Sequence, residues 1–284
     1  MKKRMITAAL AALMLGVSGC GGTADKPADK PAEKPANSNE RIVGRLAYAG
    51  ISEEQYNLLV KNSHKPGEPE ITTKFFDTLS NMKLALDSGQ IDEIVINEST
   101  AMYMSAWDTN LEKKDYNEPV TVSFSMLLKK DNEELCKKLS DTIKEMKEDG
   151  TFDDLETNYL YAYIGEAYPK PVQCEHKDEW KTLTVAVTGD LPQMDFVSVS
   201  GEPAGYSTAV AAELGKRLGY NIEFLNIDSG ARATALSTGT ADVVFWSVSV
   251  TGESFNTENI DIPDGTIITT PYIEQKNMIV TKKQ

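Results

Sequence analysis

From Arg41 onward, short apolar runs alternate with stretches whose apolar residues recur every three or four positions, the pattern of strands interleaved with helices. Ile42–Tyr48 predicts a strand. The turn Ala49-Gly50-Ile51 follows, and Ser52-Glu53-Glu54-Gln55 is a capping box that opens a helix to about Lys61. After a polar loop around Lys65-Pro66-Gly67 come a strand at Ile71–Phe76, a helix at Leu79–Asp87 stopped by Gly89, and a strand at Glu93–Ile96. Thr121–Leu128 alternates like a strand. Asp131 or Asn132 caps a long helix with Leu135, Leu139, Ile143 and Met146 on one face, ended by Gly150, and Phe152–Leu160 predicts a short helix. A second unit repeats the first: a strand at Leu183–Val187, a helix from a Ser207 cap to Leu218 with Gly219 as its left-handed end, a strand at Ile222–Leu225, a helix at Ala231–Ser237 and a buried strand at Val243–Trp246. This alternation predicts an α/β fold with a mostly parallel sheet.

The two units share an echo. Ala85-Leu86-Asp87-Ser88-Gly89-Gln90-Ile91-Asp92-Glu93-Ile94 and Ala235-Leu236-Ser237-Thr238-Gly239-Thr240-Ala241-Asp242-Val243-Val244 both read A-L-x-[ST]-G-x-x-D-x-[IV]. Any helix-to-strand connection favours a Gly there. Two copies point further, to two lobes built alike.

The first forty residues carry a different pattern. Lys2, Lys3 and Arg4 precede a largely apolar run, Met5–Val17, which is too short to span about 30 Å of hydrocarbon. It ends in Val17-Ser18-Gly19-Cys20, which resembles a bacterial lipobox, with Val17 in place of the usual Leu. The expectation is a lipoprotein signal peptide over residues 1–20, with Cys20 as the lipidated residue. The alternative is a plain signal peptide with an incidental Cys. Residues 21–40 repeat ADKP-ADKP-AEKP, a tether without core-forming residues that reaches about 60 Å if extended by its prolines. The chain is therefore expected to be exported and held by lipid at a membrane, facing the extracytoplasmic side, either periplasm or cell surface.

Composition narrows the partners. The chain of 284 residues has a formal net charge of -14, and residues 1–20 hold three cations and no acid, so their removal makes the balance still more acidic. Such a surface repels phosphate backbones and disfavours nucleic acid. Three cysteines and two histidines leave little for disulfide scaffolds or zinc. Cys136 and Cys174 remain open between a disulfide and free thiols. Cys174 and His176 form neither a zinc signature nor, in a linker, a convincing nucleophile and base. No P-loop, G-x-S-x-G or H-E-x-x-H is present.

Several stretches together resemble the bacterial extracellular solute-binding proteins of family 3, which have the two-lobed periplasmic-binding-protein type II fold. Val185-Ala186-Val187-Thr188-Gly189-Asp190-Leu191-Pro192 is similar to the family's opening strand and loop, and Gly201-Glu202-Pro203-Ala204-Gly205-Tyr206 to Leu218-Gly219 to its G-x-x-x-G-[FY] turn and first helix. Pro271-Tyr272 to Val280 is similar to its P-Y-Y segment and outgoing strand. Residues 41–160 resemble what normally comes later: second lobe, return strand and the turn Lys147–Phe152. The lobe order is thus inverted. The simplest account is a circular permutation, with 161–180 as linker and one covalent crossing remaining near 117–122. The alternative is a piece of a longer tandem array with exchanged lobes. On this account 41–118 forms a second-lobe-like unit. Residues 119–284 form a first-lobe-like unit made of the return strand and helices 119–160, the linker 161–180 and the main lobe 181–284.

The resemblance implies capture of a small polar solute, such as an amino acid, by closure of the lobes of a monomer, for delivery to an ABC-importer permease without chemistry or cofactor. Its site maps onto Tyr48, Gly50, Ser52, Asn97, Glu98, Asp190, Arg232, Ser247 and Ser249. Three departures weaken an α-amino-acid ligand. Ser254 replaces the family's carboxylate-clamping Arg, Asn97 replaces the Asp that takes the amino group, and Leu191 and Ser229 fall where stacking aromatics are common. Arg232, in the first turn after Asp228-Ser229-Gly230, is the candidate substitute clamp, against the alternative of a solvated arginine. Trp246 either lines the cleft or fills the core. Two other readings share the fold: a cyclohexadienyl-dehydratase-like enzyme with Glu98 or Asp190 as general acid, and an extracellular ligand sensor.

Overall fold

Strands and helices alternate along the described chain. The computed structural model describes residues 40–47, 51–63, 66–116, 120–162, 164, 169–198, 200–251 and 262–283. Its first part runs β1 (Glu40–Leu46), α1 (Glu53–Ser63), β2 (Glu70–Phe76), α2 (Leu79–Asp87), β3 (Glu93–Asn97), α3 (Glu98–Trp107) and β4 (Leu111–Asp115). The middle part is β5 (Val120–Lys129), α4 (Glu133–Glu148), α5 (Thr151–Leu155) and a π-helical turn at Glu156–Tyr161. The last part is β6 (Lys181–Val187), β7 (Asp190–Leu191), β8 (Asp195–Val197), β9 (Pro203–Ala204), α6 (Tyr206–Leu218), β10 (Tyr220–Asn226), α7 (Arg232–Thr238), β11 (Val243–Thr251), β12 (Thr266–Ile268) and β13 (Ile273–Lys282).

Two sheet halves have the same order. One is β2-β1-β3-β13-β4 and the other β10-β6-β11-β5-β12. In each, four strands run the same way and one is reversed: β13 is antiparallel to β3 and β4, and β5 is antiparallel to β11 and β12. The α/β class with two like lobes, mostly parallel in each, is therefore as expected. The connections differ from expectation. β13 pairs with β5 from Ile273↔Phe124 to Lys276↔Thr121, then continues into the other half from Asn277↔Asn97 to Val280↔Ile94. The chain thus crosses between the halves twice, between β4 and β5 and again within β13, rather than once. Its last strand residues complete the first-built half.

The echo has a shared geometry. Gly89 and Gly239 have φ of 76° and 73°, the left-handed conformation that glycine adopts without a Cβ clash. The next two amides of each copy turn back to the Ala85 and Ala235 carbonyls. Asp92 then clasps the first strand of its half: its amide donates to the Ile42 carbonyl at 2.8 Å, and its Oδ2 accepts the Ile42 amide at 2.7 Å. Asp242 does the same to Thr184, with both bonds at 2.9 Å. The pattern encodes a helix stop followed by a strand clasp, twice.

Helix boundaries follow the predicted caps with two changes. The capping box holds: Ser52 Oγ accepts the Gln55 amide and Gln55 Oε1 accepts the Ser52 amide. Ser207 is not the cap of α6. Gly205 precedes that helix, with a φ of 96° and the Met194 carbonyl oxygen 2.6 Å from where a Cβ would stand. Ser207 Oγ bonds the Tyr272 hydroxyl instead, at 2.9 Å. Neither does Asn132 cap α4 with its side chain, because a 3-10 turn at Lys130–Asn132 leads in. The amphipathic face of α4 packs as read, with Leu139, Ile143 and Met146 buried against Leu128, Val210 and Leu214 in the larger core. Met82, Leu86, Ile94 and Val280 form the core of the other half. At the edge of the sheet, α1 satisfies β2: Asn57 exchanges two hydrogen bonds with the Thr73 backbone, and Glu53 accepts the Phe75 amide. Cys136 and Cys174 are unpaired, and burial pushes both thiols up.

The clasps make a stability prediction. Replacing Asp242 by Ala removes a charged acceptor from the partly buried Thr184 amide and is expected to cost about 1–2 kcal/mol. The more exposed Asp92→Ala is expected to cost less. Chemical denaturation of both variants checks this, and an unchanged midpoint for Asp242→Ala refutes the clasp.

Candidate functional site

The C-terminal ends of strands from both halves converge where β5 and β13 cross. Between them lies a cavity of about 100 Å³. From the first-built half it is lined by Arg45, Leu46 and Ala47 at the end of β1, Asp77 after β2, Ile96 and Asn97 at the end of β3, and Asn277 of β13. From the other half come Thr188 after β6, Asp190 and Leu191 of β7, Ser229 and Arg232 at the start of α7, and Ser247 of β11. Val122 and Phe124 of β5 form part of the wall. Strand C-termini and helix starts in α/β sheets present backbone amides and short loops to a ligand.

Four of the nine anticipated site residues meet here: Asn97, Asp190, Arg232 and Ser247. Ser52 is exposed and spends its side chain on the α1 cap, and Glu98 opens α3; neither is among the cavity-lining residues. Tyr48 and Gly50 lie outside the described residues, as do Cys20, the tether before Glu40 and Ser254. Ser249 lies in β11, but its side chain is not described.

Arg232 is a cation of the cavity wall on the side of the second half. Its guanidinium carbon sits 4.6 Å from the centroid of the Trp246 ring, while Nε and Nη2 donate to the Ser229 carbonyl and Ser229 Oγ at 3.0 Å each. Stacking and two hydrogen bonds give the side chain a defined position. Trp246 is 2% exposed and packs in the core with Leu127 and Leu236, so it acts as the platform under Arg232 and is not itself a lining residue.

Asn97 is committed to the protein. Its Nδ2 donates to Gln275 Oε1 at 2.7 Å and to Ser99 Oγ at 2.9 Å. Gln275 Oε1 also accepts the Ser99 amide and hydroxyl, so a side chain of the crossing strand caps the first turn of α3. Gln275 and Asn277 were not anticipated, although both are only 5% exposed. The signal available was two amides at inward positions of an otherwise apolar alternation, Ile273-x-Gln275-x-Asn277. Asn277 Nδ2 is buried without a hydrogen-bond partner and belongs to the cavity wall.

Asp190 is held from the opposite half. Its Oδ2 accepts the Leu79 amide at 2.7 Å, and burial pushes its carboxyl up, opposed by the hydrogen bonds and by the positive charge of Arg232. Behind it, Asp195 anchors the loop. Its Oδ2 accepts the Thr188 amide at 2.8 Å, Thr188 Oγ1 at 2.9 Å and the Gly189 amide at 3.4 Å, and burial still pushes its pKa up to about 6. Arg45, which also lines the cavity and was not anticipated either, is held by two tyrosines: its guanidinium lies 5.7 and 5.5 Å from the Tyr56 and Tyr116 rings and donates to the Tyr116 hydroxyl. Among the described residues there is no cluster of three or more His, Cys, Asp or Glu that could hold a metal ion. Among the same residues, no helix is long and apolar enough to cross a membrane.

Residues 183–284 match the profile of the bacterial extracellular solute-binding proteins, family 3. The matched stretch, about a third of the chain, is the one in which the motifs from Val185 to Val280 resemble that family. No curated protein sequence matches. Among solved structures, the ligand-binding component of an ABC-type import system from Staphylococcus aureus, with zinc bound, is 12% identical with a TM-score of 0.42. That match covers 86% of this chain and 66% of that one, so this chain spans just under two thirds of its length. A mutant of ArgBP from T. maritima is 14% identical with a TM-score of 0.39, covering 86% and 82%. The B. pertussis BvgS periplasmic domain is 15% identical with a TM-score of 0.39, covering 86% and 37%. These likenesses are too remote to carry any argument about ligand or partner.

The buried Asp195 makes stability depend on pH. Its folded pKa of about 6 lies above its ordinary value of 3.8. The folded state therefore holds the proton more tightly, and the associated stability is fully present below about pH 4 and lost as pH rises through about 6. The expected loss is at most about 3 kcal/mol. Denaturation between pH 4 and 7 is expected to show this decline in the wild type and a flatter profile in Asp195→Asn. Equal slopes in the two proteins refute the assignment.

Proposed function

We propose that this chain, whose residues 183–284 carry a family 3 solute-binding sequence, captures a small polar solute between its two lobes and hands it to an ABC-importer permease. The observation that carries the reading is the cavity itself. It is lined by residues at strand ends and helix starts of both halves, many of them charged or hydrogen-bonding, and has one firmly positioned guanidinium. Closure of two lobes on a solute in such a place requires no reacting group. The volume of about 100 Å³ favours a solute of few heavy atoms, since cavities of about 150 Å³ accept benzene.

Arg232 supplies the anion contact that Ser254 cannot, and Ser229, Ser247, Thr188 and Asn277 supply hydroxyl and amide contacts. Asp77 and Asp190 balance the charge, so a zwitterion or a neutral polar molecule suits the cavity better than a dianion. Tyr48, Gly50 and Ser249 remain proposed contacts of the lobe edges, whereas Ser52, spent on the α1 cap, and Glu98, outside the cavity lining, do not. In the same reading, Cys20 carries the lipid that tethers a monomer on the extracytoplasmic face through the Pro-rich segment. In this reading the inverted lobe order is a circular permutation.

A thermal-shift screen of the full chain against small amino acids, organic acids and polyamines, followed by calorimetry, tests the reading. At least one small solute is expected to bind unaltered, and Arg232→Ala is expected to weaken that solute at least about 10-fold, the usual scale for losing a charged hydrogen bond in a closed site. A hit returned chemically changed would favour an enzyme. Unchanged affinity in Arg232→Ala would remove the clamp.

A further inference from the structure

One hydrogen bond in the cleft joins the two halves directly. The first amides of a helix have no intrahelical acceptor, and α2 begins at Leu79. Its N-cap Thr78 serves the Asn81 amide, which leaves the Leu79 amide to an outside group. That group is Asp190 Oδ2, 111 residues away in the other lobe, at 2.7 Å. A carboxylate at a helix start satisfies an orphan donor and the positive end of the helix dipole together. The neighbouring Leu191 is the apolar half of the same contact, since it packs against the cores of both halves. Asp195, three times hydrogen-bonded to the 188–189 loop, fixes the direction from which Asp190 arrives.

We infer that Asp190 is an interlobe latch and not a solute contact: it takes the anion position at the start of α2, closes the cleft together with Leu191, and limits the ligand to a small solute whose anionic group, if it has one, goes to Arg232. The inference rests on the proposed solute-binding cleft for its meaning. The latch explains why the cavity is small although two lobes face it. It also makes residues 190 and 191 determinants of ligand size.

Residue-resolved amide hydrogen exchange on the ligand-free, full-length protein tests it. The Leu79 amide is expected to be protected in the wild type, because an N-terminal helix amide without an outside acceptor exchanges freely. In Asp190→Ala it is expected to exchange at least about 10-fold faster, while the Met82 amide, bonded within the helix to Thr78, keeps its protection as the folding control. Asp190→Asn, a neutral acceptor of the same shape, is expected to fall between the two and serves if the Ala variant does not fold. A freely exchanging Leu79 amide in the wild type, or full protection in both variants, overturns the latch. Failure to find any solute in the binding screen would overturn the proposed function and leave the exchange result standing, so the two failures are distinguishable.

Discussion

The antiparallel pairing of β5 with β13 is the constraint on which the rest of this molecule depends. Each half of the sheet has four strands running one way and a gap before the last of them. The chain arriving from the opposite half fills that gap as a reversed strand. Because the two reversed strands pair with one another between residues 121–124 and 273–276, the halves share a continuous hydrogen-bonded sheet. The cleft can lie only where these strands pass from one half to the other. Register does the rest. The two-residue period of β13 that turns Ile273 inward turns Gln275 and Asn277 inward too, and places one at the start of α3 and the other in the cavity wall.

Electrostatics in the cleft follow from this enclosure. Burial raises the cost of every uncompensated charge, and the groups present meet that cost locally. Arg232 lies on an indole face and against Ser229, Asp190 on a helix start, and Asp195 under three donors from a single loop. Asn97 is bound to Gln275. What the cavity still offers is a small volume with the positioned Arg232, the carboxylate of Asp77 and several neutral hydrogen-bonding groups. A narrow choice of ligand follows from how much of the site's polarity is already used by the protein.

The solute-binding reading and the clasp geometry bear on one another. In both halves the echoed Asp locks the start of the parallel strands behind the cleft, leaving the loops at their far ends to carry function. This division between a repeated scaffold and divergent loops is why the two halves are alike in A-L-x-[ST]-G-x-x-D-x-[IV] and unlike at the cavity. One half brings Asp77 and Asn97 there, the other Asp190, Arg232 and Ser247.

Much of this was legible in the chain alone, wherever the cause is local. The helix at 79–87, the box at Ser52–Gln55, the face of α4 and the left-handed glycines at 89 and 239 depend on periodicity and on hydrogen bonds that close within a few residues, so the amino-acid order determined them. Short, polar or irregular elements escaped: α3 begins directly from β3 without a turn signal, and β7 to β9 are two or three residues long. The amino-acid order also marked Asn97, Asp190, Arg232 and Ser247 through a family pattern. It could not assign their partners. Asn97 meets Gln275 across 178 residues and Asp190 meets Leu79 across 111, and no local propensity links such positions. Only the tertiary structure, by closing one sheet with strands from both ends of the chain, decided which polar groups are spent on the fold and which line the cavity.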